Sequence, residues 1–280
     1  MLLLIGGKRG LKKPLLKVLR CPKCQRSLFI SENNANLNEI HETTLACEKG
    51  HIWKVEDGIP SLVFPSVSSK DAKWIAQYEE MAESYDDLVK QYDDWLGIDM
   101  MKERERIVRF VPIEAPVKIL DVSIGTAATF IALYNAFQGK QMERFNLHGL
   151  DLSLGMLKVA KQKIEKRSLD ISLVHGNVFN IPYKNNSFNI VYHSGGINTF
   201  SDIGLALNEM LRVVRSGGIV VVVDEGLSPD MRESEKGKEI IRTNSLFAAR
   251  PPIAYLPEKV KDVEMNYIMN GTFYEVVFRK

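Results

Sequence analysis

Between Asp71 and Leu96 the residues Trp74, Tyr78, Met81, Tyr85, Leu88 and Tyr92 recur at three- and four-residue steps, the spacing of one helix face. A second helical run, MMKERERIVRFV, stops before Pro112. The pattern then begins to alternate. VKILDV, FNLHGLD, ISLVHG, FNIVYHS and the uninterrupted apolar GGIVVVVDE read as strands. TAATFIALYNAF, LGMLKVAKQKIEK (Leu154, Leu157, Ala160 and Ile164 on one face) and IGLALNEMLRVVR read as the helices between them. Strands and helices alternating on short connections predict a doubly wound α/β sheet, mainly parallel. Near the end, Asn270-Gly271 between two β-rich runs predicts a hairpin, so the last strand must run antiparallel.

The first 68 residues follow another pattern. SLFI and TTLA are short β-prone runs separated by the Asn-rich ENNAN, a small hairpin. VEDGIPSLVFP, with Gly58, Pro60 and Pro65, reads as turn and edge punctuation, and SVSSKD as a polar linker. The expected division is therefore residues 1–68, a small module with a basic arm, and 69–280, a helical cap over 69–112 followed by an α/β core over 113–280.

Charge and cysteine usage add to this picture. Net charge is only +2, but every charged residue before Glu32 is basic, while Glu79 to Asp94 is strongly acidic. A basic arm can meet phosphates, although such short runs are more often solvated tails. MLLLI is too short for a signal-peptide core, and no apolar run reaches the length of a membrane span. Three cysteines, two of them in a Cys-x-x-Cys pair, argue for a reducing compartment, by default the cytoplasm.

All three cysteines belong to one constellation: Cys21, Cys24, Cys47 and His51. Two close pairs of soft and borderline ligands satisfy a tetrahedral Zn2+, clipping the hairpin at its open end. A redox Cys-x-x-Cys would need a thioredoxin-like βαβ context, which is missing. His41 is a weaker choice for the fourth ligand. With four protein ligands the metal has no open position, so its expected role is structural.

The α/β part offers a second constellation. DVSIGTAATF follows the strand VKIL, with Gly125 retained and Ser123 and Ala127 where such turns often hold glycine. ILDVSIGTA, LHGLDLS, GNVFNIPYKNNSFNIVYHSGG and ALNEMLRVVRSGGIVVVVDE stand in order ahead of the terminal hairpin. Together they resemble the motifs of class I S-adenosylmethionine-dependent methyltransferases, quinone-methyltransferase-like branch, from about Tyr78 onward. The resemblance implies a seven-stranded sheet and S-adenosylmethionine as cofactor. Asp121 would hold the methionine ammonium, Gly125 would let the backbone pass beneath the cofactor, and Asp151 would accept the ribose hydroxyls. Asn177 and Val178 would meet the adenine, and Tyr85 would cover the site. Ser123, Thr126, Leu152 and Met156 complete the expected lining. Ser123 and Ala127 fit such a loop if their φ angles are negative. Asn189 stands at an expected structural position.

Methyl transfer from a sulfonium needs an aligned acceptor and a general base only where the acceptor loses a proton. His193 is the candidate base; Ser194, Asn198, Asp224 and Glu225 stand near the same strand ends. The N-terminal module resembles that of rRNA guanine-N1-methyltransferases, and equally a zinc-binding activator of tRNA and protein methyltransferases fused in cis. Three readings remain at this point: an enzyme acting on a small-molecule acceptor, an rRNA or tRNA base methyltransferase whose module grips RNA, and a non-catalytic cofactor-binding scaffold.

Overall fold

The computed structural model describes residues 10–31, 39–112 and 116–280. Lys8 and Arg9 of the basic arm, the ENNAN stretch and the first three residues of the expected core lie outside them. The N-terminal segment holds β1 (Leu11–Lys12), α1 (Lys13–Leu16), β2 (Leu28–Ile30), β3 (Glu39–Ile40), β4 (Thr43–Cys47), β5 (Ile52–Glu56) and β6 (Ile59–Leu62). β1 and β3 form their own two-stranded ribbon. β2, β4, β5 and β6 pair antiparallel in sequence, the expected hairpin extended by two strands.

Helices α2 (Ser69–Met81), α3 (Tyr85–Leu96) and α4 (Met100–Arg104) follow. Ser68 caps α2 by accepting from the Asp71 amide, and Gly97 ends α3 in the left-handed conformation. A 3₁₀ turn at Ala82–Ser84 shifts the helical phase between α2 and α3. Leu88 consequently faces solvent, and Val89, Tyr92 and Leu96 face the core instead. The second helical run is α-helical only to Arg104 and continues as a 3₁₀ helix to Phe110.

The α/β part comprises β7 (Val117–Val122), α5 (Ala128–Ala136), β8 (Phe145–Asp151), α6 (Leu154–Lys166), β9 (Ile171–Gly176), β10 (Phe188–Ser194), α7 (Ile203–Val213) and β11 (Val214–Glu225). After it come α8 (Pro229–Glu233), α9 (Glu235–Thr243), β12 (Lys261–Ile268) and β13 (Phe273–Arg279). α6 buries Leu157, Ala160 and Ile164, but Leu154, in its first turn, is exposed. Asn270 and Gly271 turn the last hairpin with φ of 56° and 79°.

The expected seven-stranded sheet is part of a larger one. Eleven strands lie in the order β12-β13-β11-β10-β7-β8-β9-β6-β5-β4-β2. The seven from β7 onward are parallel except for β13, which runs antiparallel to β11 and to β12. The other four come from the N-terminal segment. β6 pairs parallel with β9 through Ser61↔His175 and Leu62↔Gly176, so the stretch read as punctuation is the joint between the two parts.

Successive residues of the central strands feed opposite faces. Leu120 and Val122 join one buried cluster; Val117 and Ile119 join the other. Such two-sided burial explains the nearly unbroken apolar runs. β7 has β8 on one side and β10 on the other, so the chain reverses its winding there. That switch point opens a crevice at the strands' carboxyl ends.

Candidate functional site

The crevice is a cavity with about 1010 Å³ of empty space, counted out to its open mouth. Its floor begins where β7 ends. Ser123, Gly125 and Ala127 have φ of 61°, 54° and 66°, so the two non-glycine residues adopt left-handed backbone, against the expectation of negative φ. L-residues hold that conformation at a cost of roughly 1–2 kcal/mol each, the kind of strain that concentrates at ligand sites. A Cβ built on Gly125 meets no atom within 4 Å, and neither does one on Gly195 or Gly196, all three lining the cavity. These positions border empty space that a ligand can enter closely.

Asp151, at the tip of β8, is fastened by its backbone neighbours. Its Oδ2 accepts from the Gly125 amide at 2.8 Å and its Oδ1 from the Ser153 amide at 2.9 Å. Asp151 itself lines the cavity. Burial pushes its carboxyl above the ordinary range, while the amides of Ser153 and Gly125 act the other way.

Asp121 does not line the cavity; it precedes Val122 and Ser123 and is 1% exposed, and its carboxylate has no well-formed hydrogen bond, although the Thr129 hydroxyl stands close by. Burial pushes its carboxyl up to about 7; the nearby Thr129 hydroxyl and Arg104 guanidinium restrain the rise, and Asp151 adds to it. A buried carboxylate so little compensated is costly unless something positive arrives.

Arg104, at the end of α4, is the positive counterpart that motif reading missed. It lines the cavity at 7% exposure, its Nε has no partner, and its guanidinium makes no ion pair among the described residues. Its neighbours in the charged run differ: Arg106 pairs with Glu103 on the surface. The available signal was periodicity. Met100, Arg104 and Ile107 recur at helical steps, all buried, so an arginine occupies an apolar stripe.

Trp74, Ile75 and Tyr78 of α2 and Tyr85 of α3 form the roof, with Phe179 and Phe200 on a side wall. Burial takes the Tyr85 phenol up to about 12, and its ring meets Tyr78 edge-on at 6.2 Å. Polar contacts hold this roof down. Asp71 accepts from the Ser201 amide at 3.0 Å and hydroxyl at 2.6 Å, and Glu79 accepts from the Gly155 amide at 2.9 Å. Asp86 accepts from Thr126 Oγ1 at 2.6 Å and from Lys163 Nζ at 2.5 Å.

Ser123, Thr126, Leu152, Met156, Asn177 and Val178 line the cavity together with Tyr85, Gly125 and Asp151. Asn177 uses its Oδ1 to accept from the Phe179 amide at 2.9 Å, capping a short 3₁₀ turn, which leaves one lone pair and the amide NH₂ for a ligand. Asn189 Oδ1 accepts from the Lys118 amide at 2.9 Å, tying β10 to β7. His193 is a correction. It is 0% exposed and lines no part of the cavity; its Nδ1 donates to the Val122 carbonyl at 2.9 Å, and its Nε2 is buried without a partner. Burial lowers its pKa, and its enclosure, away from the cavity, argues against the expected role of base. Asp224 is equally enclosed, accepting from the Asn198 and Glu225 amides at 3.0 and 2.8 Å. Burial and that neighbouring carboxylate push Glu225 well above the carboxylate range.

The second constellation assembles as spaced. The ligand atoms of Cys21, Cys24, Cys47 and His51 all lie within 4.8 Å of one another. Cys21 Sγ and Cys47 Sγ are 3.5 and 3.4 Å from His51 Nδ1, and the sulfurs of Cys24 and Cys47 are 3.5 Å apart. Ligands about 2.0–2.3 Å from a central tetrahedral ion stand roughly 3.5–3.8 Å from each other. The four donors fit such an ion. His41 lies outside the cluster.

A doubly wound sheet with a terminal antiparallel hairpin, acidic residues at the tips of its first two strands and a glycine turn between them define a class I S-adenosylmethionine-dependent methyltransferase. The chain belongs to the ubiE/COQ5 methyltransferase family, whose model matches residues 67–234. Among similar proteins, the demethylmenaquinone methyltransferase of Geobacillus sp. (strain WCH70) is 35% identical over 151 residues, 52% of this chain and 63% of that protein. This chain therefore spans less than two thirds of that relative. The demethylmenaquinone methyltransferase of Bacteroides fragilis is 29% identical over 237 residues, 76% of this chain and 90% of its own. A Methanococcus maripaludis structure described as an S-adenosyl-L-methionine-dependent methyltransferase shares the fold at TM-score 0.51 and 20% identity, over 77% of this chain and 96% of that one. So does one chain of a Haloferax volcanii complex between the Trm112 methyltransferase activator and a methyltransferase, at TM-score 0.53 and 15% identity, over 72% and 96%. Among the described residues no helix is long and apolar enough to cross a membrane.

Proposed function

We propose that the chain binds S-adenosylmethionine in the cavity and methylates a small, flat-ringed acceptor of the quinol type. The observation that carries the reading is a pair of buried charged groups: the Arg104 guanidinium, which lines the crevice without an ion pair among the described residues, and the Asp121 carboxylate just beneath its floor. An α-amino acid head, with its ammonium and carboxylate, satisfies both at once. On this reading Asp151 would accept the ribose hydroxyls, Asn177 and Val178 would meet the adenine, and Ser123, Gly125, Thr126, Leu152 and Met156, which also line the cavity, would cover the remaining surface.

Bound S-adenosylmethionine supplies an activated methyl group, displaced in line onto the acceptor while the acceptor gives up a proton. The chain's own part is to orient and to exclude water. The latched α2–α3 roof does the second. Trp74, Ile75, Tyr78, Phe179 and Phe200 offer aromatic and aliphatic surface for the first, suited to a ring more than to a phosphate-bearing chain. The relatives named for demethylmenaquinone methylation support a quinol-type acceptor. We further propose a structural Zn2+ on Cys21, Cys24, Cys47 and His51, since four protein donors leave no open position.

Titration calorimetry with S-adenosylmethionine tests the cofactor. Absence of heat would leave the scaffold and enzyme readings both without support. Transfer of tritiated methyl to demethylmenaquinol, set against rRNA and tRNA fractions, tests the acceptor. Label in RNA and none in the quinol would overturn the small-molecule reading.

A further inference from the structure

The Cys/His cluster and the cavity are not separate sites joined by a tether. Pro22 lies between Cys21 and Cys24, and its carbonyl accepts from Asn180 Nδ2 at 2.7 Å. The Oδ1 of the same Asn180 accepts from Arg20 Nη2 at 3.3 Å, while the Arg20 amide donates to the Pro182 carbonyl at 3.0 Å. Arg20 is 6% exposed and lies 3.8 Å from Glu209, whose carboxylate accepts from the Ile181 amide at 2.8 Å. Leu19 bridges Tyr183, and the Lys184 amide donates to the Val18 carbonyl at 2.8 Å. The segment 180–184 is thus laced to 18–22, and the cavity wall Asn177–Phe179 begins one residue upstream.

A second tie runs along the sheet joint. Ser61 Oγ, on β6, meets His175 Nδ1 at 2.9 Å, and His175 Nε2 donates to the Leu152 carbonyl at 3.1 Å. Leu152 lines the cavity beside Asp151. Asn180, Ser61 and His175 line no part of it themselves. Ser61 reaches the Leu152 carbonyl through His175, and Arg20 reaches Asn180, the residue that follows the wall Asn177–Phe179.

From these contacts we infer that the Cys21/Cys24/Cys47/His51 module is an intramolecular brace of the nucleoside half of the cofactor site. Metal in the cluster holds the knuckle carbonyl of Pro22 in place, and Asn180 passes that position to the wall at Asn177–Val178. Asn180, Ser61 and His175 are positioning residues. The inference rests on the cofactor reading above and on the fit of the cluster to an ion. By linkage the coupling is reciprocal: an ordered wall must also hold the metal more firmly.

The test uses the full chain and two probes. S-adenosylhomocysteine carries both the nucleoside and the amino acid, whereas 5′-methylthioadenosine carries the nucleoside alone. In Asn180→Ala, and separately in Ser61→Ala, calorimetric affinity should fall about tenfold, within the roughly 5- to 150-fold range of such couplings, and by the same factor for both probes. Bound zinc and thermal midpoint should stay near wild type in these variants. Zinc release from the wild type to a chromogenic chelator should slow when S-adenosylhomocysteine saturates the protein, and the slowing should vanish in Asn180→Ala. Unchanged affinity for both probes, or zinc release indifferent to S-adenosylhomocysteine, overturns the brace. A wild type that binds neither probe overturns the cofactor reading instead, and a wild type purified without zinc overturns the metal reading.

Discussion

At Asp121 the chain keeps a carboxyl that burial pushes up to about 7, against an ordinary 3.8. In the ligand-free protein the folded state therefore holds a proton that the unfolded chain releases near pH 4. Between those values folding binds protons, so this group makes stability fall as pH rises from about 4 through 7, levelling off above. The full difference is on the order of 4 kcal/mol. Asp121→Asn should abolish that fall, melting higher than wild type at pH 8 while losing most affinity for S-adenosylhomocysteine. Because an ammonium needs the ionised form, wild-type affinity should climb with pH through 7, and calorimetry from pH 5.5 to 8 reads this directly. A flat profile would remove Asp121 from the site. Arg104→Met should weaken S-adenosylhomocysteine about ten- to a hundredfold, the worth of a charge-assisted bond, yet leave 5′-methylthioadenosine nearly untouched. Equal losses would assign Arg104 to general stability. Ser123→Gly relieves a left-handed serine and should raise the melting midpoint by roughly 2–4 °C; no rise, or a fall, would mean the strain is offset locally. The places of Gly125 and Asp151 on the cavity lining were legible because a strand end, a small-residue turn and the next strand end are fixed by local spacing, whereas Asp121, one residue short of the end of β7, lies behind that lining. Arg104 was obscured by a run in which Lys102, Glu103, Arg104, Glu105 and Arg106 look alike until packing selects one. His193 failed for the converse reason: its position in the motif was right, but register on β10 turns the ring inward against Val122.

The helices α2 and α3 act as one element, a roof held by carboxylates on backbone amides, hydroxyls and one lysine. Asp86 is about half exposed, so its pair with Lys163 is screened and worth under about 1 kcal/mol. Lys163→Met should consequently speed dissociation of S-adenosylhomocysteine by no more than about fivefold in stopped-flow measurements, with the melting midpoint nearly unchanged. A larger effect would mean the roof opens as a unit around that latch. Periodicity read α2 and α3 as one continuous helix with one face, but the 3₁₀ turn between them rotates the stripe and leaves Leu88 outside. β6 was the element least open to sequence reading. Four residues containing Pro60 are too short for an alternating pattern, and its partner β9 is remote in the chain.

For the molecule as a whole, the consequential feature is a single sheet crossing from the Cys/His cluster to the C-terminal hairpin. Cys24→Ser should release the metal and expose the segment before Ser68 to limited proteolysis while the remainder stays folded; resistance of that segment would show that the strands suffice without the ion. The spacing of four ligands made the cluster legible, and the alternation of strands and helices made the core legible, whereas their union rests on a pairing that no local rule encodes. Ser61 and His175 are separated by 114 positions. During synthesis at about 5–20 residues per second, β6 therefore waits on the order of 6–20 seconds for the strand it will join. Throughout that interval the nascent module carries an open edge of unsatisfied amides and carbonyls, available to any other extended chain on the same polysome.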